Sequence, residues 1–330
     1  MGQSVTTAPM AGIREDLGSI IENLSPSETP VLSAAKTLTA TSTLHEWLED
    51  TLSPPVNNNA AAEGAASGTV ADNLSQTRLG NYTQISKKVY GVSNTMQSVN
   101  NAGFDSAIAY AAAKAARELK TDVDMAITSG HIAKSSSATR RSASLDSWVR
   151  NASRGTVGSG TSGADPGTFD GDAVDTEAAT TKQRAFTEGL LTDVIEDCWT
   201  DGGKPSLIVA GAKQRGVFSQ FDGLNTAAGT SGNSTARSDR ASRTIMGTAE
   251  VYVSNYGQLS VVASRHLRKV GTVDRDVWLI DPEQIGVAYL RPWEEKDLAV
   301  VGDGQDRMMT VEWTLEVSNT YAHGLIADLN

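Results

Sequence analysis

The stretch Gly158-Ser-Gly160-Thr-Ser-Gly163 spells the GxGxxG pattern with which a dinucleotide-binding turn brings its backbone up to a pyrophosphate. That chemistry needs a strand before the glycines and a helix after them. No strand-like run precedes Gly158 and Pro166 follows, so the pattern reads as a flexible Gly/Ser loop. Asp165, Asp170, Asp172 and Asp175 have oxygens enough for a calcium ion, yet they lack the Asp-x-Asp-x-Asp-Gly order and closing glutamate of an EF-hand, which favours a solvated acidic loop. Neither a GxSxG nucleophile turn nor an HExxH zinc helix occurs, and His45-Glu46 has no second histidine four residues from the first. Cys198 and His323 are the remaining conceivable pair. Nothing local brings them together, and a thiol among Leu191, Val194, Ile195 and Trp199 reads as a small buried hydrophobe. No catalytic, cofactor-binding or metal-binding residue is assigned, and no cofactor is expected.

The elements that could position such groups are themselves more informative. Ile13, Leu17, Ile20, Ile21 and Leu24 recur at helical spacing and predict a helix from about 11 to 23, stopped by Pro26 and Pro30. Two β-prone runs follow, one from Thr39 to Leu48 and one carrying Tyr82, Ile85, Val89, Tyr90 and Val92. Between them lies a run rich in Ala, Asn, Ser and Gly with little to bury, so the segment reads as a long two-stranded arm with a flexible tip. An isolated hairpin of this kind is marginal in water and needs another surface to lie on.

Residues 102–128 give the strongest helix. Phe104, Ile108, Ala111, Ala112, Ala115, Leu119, Val123 and Ile127 form one apolar stripe, and at 1.5 Å per residue the rod is about 40 Å long. A stripe so rich in alanine predicts close packing against something flat. Residues 135–182 read as loop, with a short helix at Leu145 to Val149. An α/β region follows, with helices at 187–199 and 212–221 around the strand Ser206 to Ala210, and then a polar loop from Gly223 to Arg243. The rest is mostly strand. In its last run Met309, Val311, Trp313, Leu315 and Val317 alternate with Met308, Thr310, Glu312, Thr314 and Glu316, which predicts one buried face.

With 39% hydrophobic and 20% charged residues, the 330-residue chain is long enough for one large or two ordinary cores, and its apolar runs are too short for a membrane span. The N-terminus lacks the basic-then-apolar pattern of a secretory signal, so four Asn-x-Ser/Thr sequons, among them Asn81-Tyr-Thr83, carry no weight. A formal charge of −11 argues against a surface built mainly to grip nucleic acid. The charge is segregated: residues 271–330 hold 12 acids against 4 bases, whereas Lys134, Arg140, Arg141, Arg150 and Arg154 face only Asp146 within 131–154. A second basic stretch, 237–269, has 6 bases against 2 acids. Such segregation either joins neighbouring subunits or marks separate solvated faces.

The order of arm, two-stranded loop, spine helix, α/β domain and β-rich return resembles the HK97-like fold of tailed-phage major capsid proteins, which encapsulin shells share. Gly12-Ile-Arg-Glu-Asp-Leu17, Ser25-Pro-Ser-Glu-Thr-Pro30, and the ending from Asp297-Leu-Ala-Val-Val-Gly302 through Glu312-Trp-Thr-Leu-Glu-Val-Ser-Asn319 are similar to the SU10 major head protein family. The resemblance spans nearly the whole chain. It implies an α+β chain divided into an N-terminal arm (1–35), an extended loop (36–96), the spine helix with part of the peripheral domain (97–184), an axial domain (185–290) and C-terminal strands returning to the peripheral domain (291–330).

The function so implied is structural, a head subunit in the virion assembled in the bacterial cytoplasm. Copies would form hexamers and pentamers of an icosahedral or prolate shell around double-stranded DNA, with scaffolding, portal or decoration proteins as further partners and no membrane. The extended loop would lie over a neighbour. Trp47 and Leu48 are then expected at subunit contacts, Glu49 and Asp50 against bases of an adjacent copy, and Lys87 and Lys88 in reciprocal ion pairs. Lys134, Arg140, Arg141, Arg150 and Arg154 are expected to face the DNA, where sequence-independent phosphate contacts suffice. The alternatives are an encapsulin-like compartment shell and, in a different class, an α/β enzyme using the 185–265 region, which would need a convergent polar pocket.

Overall fold

The computed structural model describes residues 28–53, 55–60, 62–64, 76–99, 106–128, 132–154, 168–174, 183–219, 221, 251–270, 273–299 and 302–330. The helix expected over 11–23, much of the arm tip, the glycine run at 158–163 and the loop from 223 to 243 lie outside them. In chain order the helices are α1 (Pro30–Ala34), α2 (Asn94–Ser98), α3 (Ala107–Thr128), α4 (Glu188–Thr200) and α5 (Ala212–Phe218), with one 3-10 turn at Leu145–Ser147. The strands are β1 (Lys36–Thr39), β2 (Leu44–Asp50), β3 (Gln76–Tyr82), β4 (Gln84–Ser93), β5 (Asn151–Ser153), β6 (Leu207–Ala210) and β7 (Val251–Ser254). They continue as β8 (Gly257–Ala263), β9 (Lys269–Val270), β10 (Val273–Asp274), β11 (Val277–Ile280), β12 (Ile285–Asp297), β13 (Gly304–Val317) and β14 (Gly324–Ile326).

Pro30, expected to end a helix, begins α1: at the first turn its missing N–H leaves no bond unmade and its ring presets φ. The spine helix α3 buries Ala115, Leu119, Val123 and Ile127 on one stripe, as the spacing predicts. That stripe lies on a four-stranded sheet of order β1-β12-β13-β4, in which β1 pairs parallel to β12 and the other pairs are antiparallel. Leu119, Val123 and Ile127 are essentially inaccessible and meet Val311, Trp313, Leu315 and Val317 in one core. Each contributes roughly 1.5–3 kcal/mol of burial. Trp313 joins this core while its ring N–H donates to Ser86 Oγ on β4 at 3.0 Å.

The second sheet has six strands in the order β5-β14-β11-β6-β8-β7. One face carries Ile208, Ala210, Leu259, Val261, Val277 and Leu279 under α4 and α5; Trp278 and Ile280 on the other face join the core under the spine helix. The two sheets therefore share one continuous interior through β11. At Gly324 the thiol of Cys198 and a methyl of Val194 come so near that a Cβ would meet them at 3.1 and 2.6 Å, which sets how closely α4 lies on β14. Cys198 is fully buried, and burial pushes its thiol up to about 12, so it is a packing residue.

Three expectations need correction. The arm hairpin is β2 with β3, Leu44 opposite Tyr82 through Asp50 opposite Gln76; the run carrying Ile85, Val89, Tyr90 and Val92 is β4, bonded to β13. The extended loop is thus 44–82, not 36–96, because Thr83 breaks the run and turns it into the peripheral sheet. The six-stranded axial sheet is not confined to 185–290: it takes β5 from 151–153 and β14 from 324–326, whereas β12, from Ile285 on, belongs to the other sheet. Lastly, β13 is buried on both faces along its second half, Thr310, Glu312 and Thr314 included. Polar side chains are buried there because the arm root and residues 140–144 cover that face and supply their hydrogen bonds.

Candidate functional site

The arm divides at Asp50. Its root is held to the body by polar contacts that alternation along β2 directs inward. His45 Nε2 meets Glu316 Oε2 at 2.7 Å, and that partner holds the Glu316 carboxyl below its ordinary range. Two residues on, Trp47 is half-buried with its ring 5.1 Å from Trp148. Two further on, Glu49 Oε1 accepts from the backbone N–H and the hydroxyl of Thr320 at 2.9 and 2.7 Å. The other strand is fixed by Asn81, which is fully buried. Its amide donates to Leu315 O at 2.8 Å and Ser142 Oγ at 3.0 Å, and its carbonyl accepts from Ala143 N–H at 2.8 Å.

Beyond the root the outward residues have no such cover. Leu48, Leu52 and Val56 are 61%, 98% and 70% exposed, and Asp50 is exposed at the end of β2. On β4, Ile85 and Val89 are 48% and 59% exposed with Lys87 between them, on the sheet face away from α3. Lys88 points the other way, to Asp122 of α3 at 2.9 Å, and that hydrogen bond raises its pKa. So of the six residues singled out on the arm and β4, Trp47, Glu49 and Lys88 are engaged within the chain, and Leu48, Asp50 and Lys87 face outward.

The basic segment 131–154 is drawn inward as well. Arg140 Nη2 and Arg291 Nε each donate to Glu312 at 2.7 Å, Thr83 Oγ1 donates to the same carboxylate at 2.9 Å, and Glu312 is 4% exposed. Burial opposes the charge, but the Arg291, Thr83 and Arg140 bonds outweigh it and hold the carboxyl below its usual range. Lys134 Nζ donates to Asp170 O at 2.6 Å and lies 3.5 Å from Asp172, which accounts for two of the four loop aspartates. Arg150 donates to Thr320 Oγ1 at 2.9 Å with its guanidinium about 5 Å from the rings of Phe169 and Tyr321. Arg141 is exposed, and Arg154 is half-buried.

Sequence reasoning missed Asn81 and Thr83, the outer members of a discounted sequon, and placed Trp199 with the buried neighbours of Cys198. Trp199 is 54% exposed and stacks on Tyr256 at 5.1 Å. Among the described residues no group of three His, Cys, Asp or Glu could hold a metal ion, and no helix is long and apolar enough to cross a membrane.

A spine helix on a four-stranded sheet, a projecting hairpin and a second α/β sheet sharing the same interior make up the HK97-like fold of phage capsid proteins. Solved structures agree over nearly the whole chain. The capsid of a native GTA particle superposes with a TM-score of 0.63 at 14% identity, covering 100% of both chains. The capsid of cyanophage A-1(L) gives 0.63 at 12% identity, covering 98% of this chain and 99% of that one, and a chain of Gordonia phage Cozz gives 0.60 at 11%, covering 99% of each. The family model of the SU10 major capsid protein matches residues 2–330, and the chain belongs to that family. Its members are structural capsid proteins of phages, not enzymes. A curated relative, the major capsid protein of Escherichia phage Phieco32, is 32% identical over 112 residues; the match spans 33% of this chain and about a third, 31%, of that protein.

Proposed function

We propose that copies of this chain assemble, in the cytoplasm of the bacterial host, into hexamers and pentamers of a closed icosahedral or prolate shell that encloses phage double-stranded DNA. The observation that carries the reading is the divided arm. A hairpin rooted by His45, Glu49 and Asn81 but tipped by Leu48, Leu52 and Val56, the middle one 98% exposed, is built to reach a surface outside its own subunit. In the assembled shell the tip lies over an adjacent copy. There the apolar side chains bury against it and Asp50 and Lys87 meet charges of opposite sign. Such rim pairs are worth about 0–1 kcal/mol each, but a closed shell repeats them at every subunit.

The shell needs no dedicated row of phosphate-binding bases. Lys134, Arg140 and Arg150 serve the fold, and of that stretch Arg141 keeps its charge exposed, enough for loose, sequence-independent contact with the packaged DNA. Scaffolding, portal or decoration proteins complete the particle.

The test is assembly of the purified chain, followed by light scattering and negative-stain microscopy, beside a Leu52→Ser/Val56→Ser variant. The unmodified chain should form shells, tubes or capsomer rings. The variant should match it in unfolding free energy within about 0.5 kcal/mol, since it alters exposed positions only, and fail to assemble. A variant that assembles as readily as the unmodified chain would remove the arm tip from the account.

A further inference from the structure

The axial sheet is electrically polar along its strands. β6 and β8 run parallel, so the turns entering them lie at one end of the sheet and the turns leaving them at the other. The entering end holds the last turn of α4 and the β7–β8 turn. Glu196, Asp197, Asp201 and Glu283 are exposed there beside Lys204, and no basic residue occupies the last turn of α4 to offset the partial negative charge of its carbonyls. The leaving end holds α5 and the turn after β8. Its exposed charges are Lys213 and Arg265, with Arg215 half-buried beneath them; Asp274 and Asp276 at that end are buried. Arg265 is 3.4 Å from Glu28 and its side chain is still 57% exposed.

The acidic end also has a shaped recess. Trp199 and Tyr256, ring centroids 5.1 Å apart, form an outer wall of a groove of about 220 Å³ floored by Ile195, Pro205 and Leu259. An exposed tryptophan wall rimmed by carboxylates suits a cation on an alkyl stem: the methylenes lie on the rings, and the charge meets the ring faces and the acids. A groove that bound only an apolar group would not need the acids.

We infer that the acidic, aromatic-walled end of the axial sheet receives the Lys213–Arg265 end of a second copy, joining axial domains head to tail. The inference rests on the self-assembly proposed above and names the surfaces that meet. The two ends differ from each other, so the contact is heterologous. It leaves no end unpaired only when the copies close into a ring.

The experiment compares four full-length chains: the unmodified one, Lys213→Glu/Arg265→Glu, Glu196→Lys/Asp197→Lys/Asp201→Lys, and all five substitutions together. Thermal unfolding first shows that each is folded, and assembly is then read by light scattering and microscopy. Each one-ended reversal should slow assembly at least about tenfold by setting like charges together, and the chain reversed at both ends should regain it. Undiminished assembly of either one-ended variant, or no recovery when both ends are reversed, overturns the inference and leaves self-assembly standing. An unmodified chain that forms no assembly at any concentration or salt overturns the self-assembly reading itself.

Discussion

Asn81 carries more of the fold than its residue type suggests. Its side chain bonds β3 to Leu315 of β13 and to Ser142 and Ala143, three segments far apart in sequence, in a place with no access to water. Asn81→Ala leaves several polar groups buried without partners, each costing about 1–3 kcal/mol, so chemical denaturation should show a loss of roughly 2–4 kcal/mol. Two buried titratable groups set opposite pH dependences. Burial raises the Asp124 carboxyl to about 6, even though its Oδ1 accepts from Leu32 N–H at 2.8 Å at the start of α1. Its folded value lies above its unfolded one, so its contribution to stability is greatest below about pH 4 and is lost as pH rises to about 6. Asp124→Asn should therefore gain on the unmodified chain by up to about 3 kcal/mol across that window and stay level above it. His323 is the reverse case. Burial lowers it to about 4, so its contribution is full above about 6.5 and is lost as pH falls towards 4. His323→Gln, which can still accept from Asp281 N–H, should flatten the loss between pH 6.5 and 4. In the unmodified chain the two slopes oppose each other, so each is visible only in the other's variant.

At the scale of elements, the arm is two structures in one hairpin. From Leu44 to Asp50 every second side chain of β2 is tied to the body, by Glu316, Trp148 or Thr320; from Thr51 on, the side chains are exposed. Amide exchange on the unassembled chain should show 44–50 and 76–82 protected nearly as well as β13, and 51–60 exchanging at close to the free-chain rate. Equal exchange along the whole hairpin would mean that the root is not anchored. The same division shows how far patterning could be read. The spine-helix stripe was legible because it faces one flat sheet at a period of 3.6. The arm boundary was not, because β3, Thr83 and β4 read as one β-prone stretch, and only pairing assigns half of it to the hairpin and half to the peripheral sheet. Likewise Thr310, Glu312 and Thr314 read as a solvent face until the segment at 140–144 and the arm root cover them.

At the scale of the molecule, charge is spent in two ways. The bases of 131–154 neutralise buried acids such as Glu312, while those at the end of the axial sheet remain outward. A head-to-tail contact between exposed charges is weakened by screening. Raising salt from about 0.05 to about 0.5 M should slow assembly of the unmodified chain, and should do so much less for a Lys213→Ala/Arg265→Ala chain. An equal salt response from both chains would show that other charges set the rate.

The sequence by itself determined the order of elements, the rod of α3 and the lack of any recognisable catalytic set, because local periodicity and motif spacing are properties of neighbours along the chain. From them and the two terminal blocks the family could be read. What the tertiary structure decided is which charged residues are left for partners. Lys88, Glu49 and Arg140 look like surface charges in the sequence, and Trp199 looks like core; distant segments reverse each reading, with Asp122, Thr320 and Glu312 claiming the charges and the end of α4 leaving the indole bare. Burial of a side chain depends on what packs over it from elsewhere in the chain, and no window of neighbouring residues holds that information.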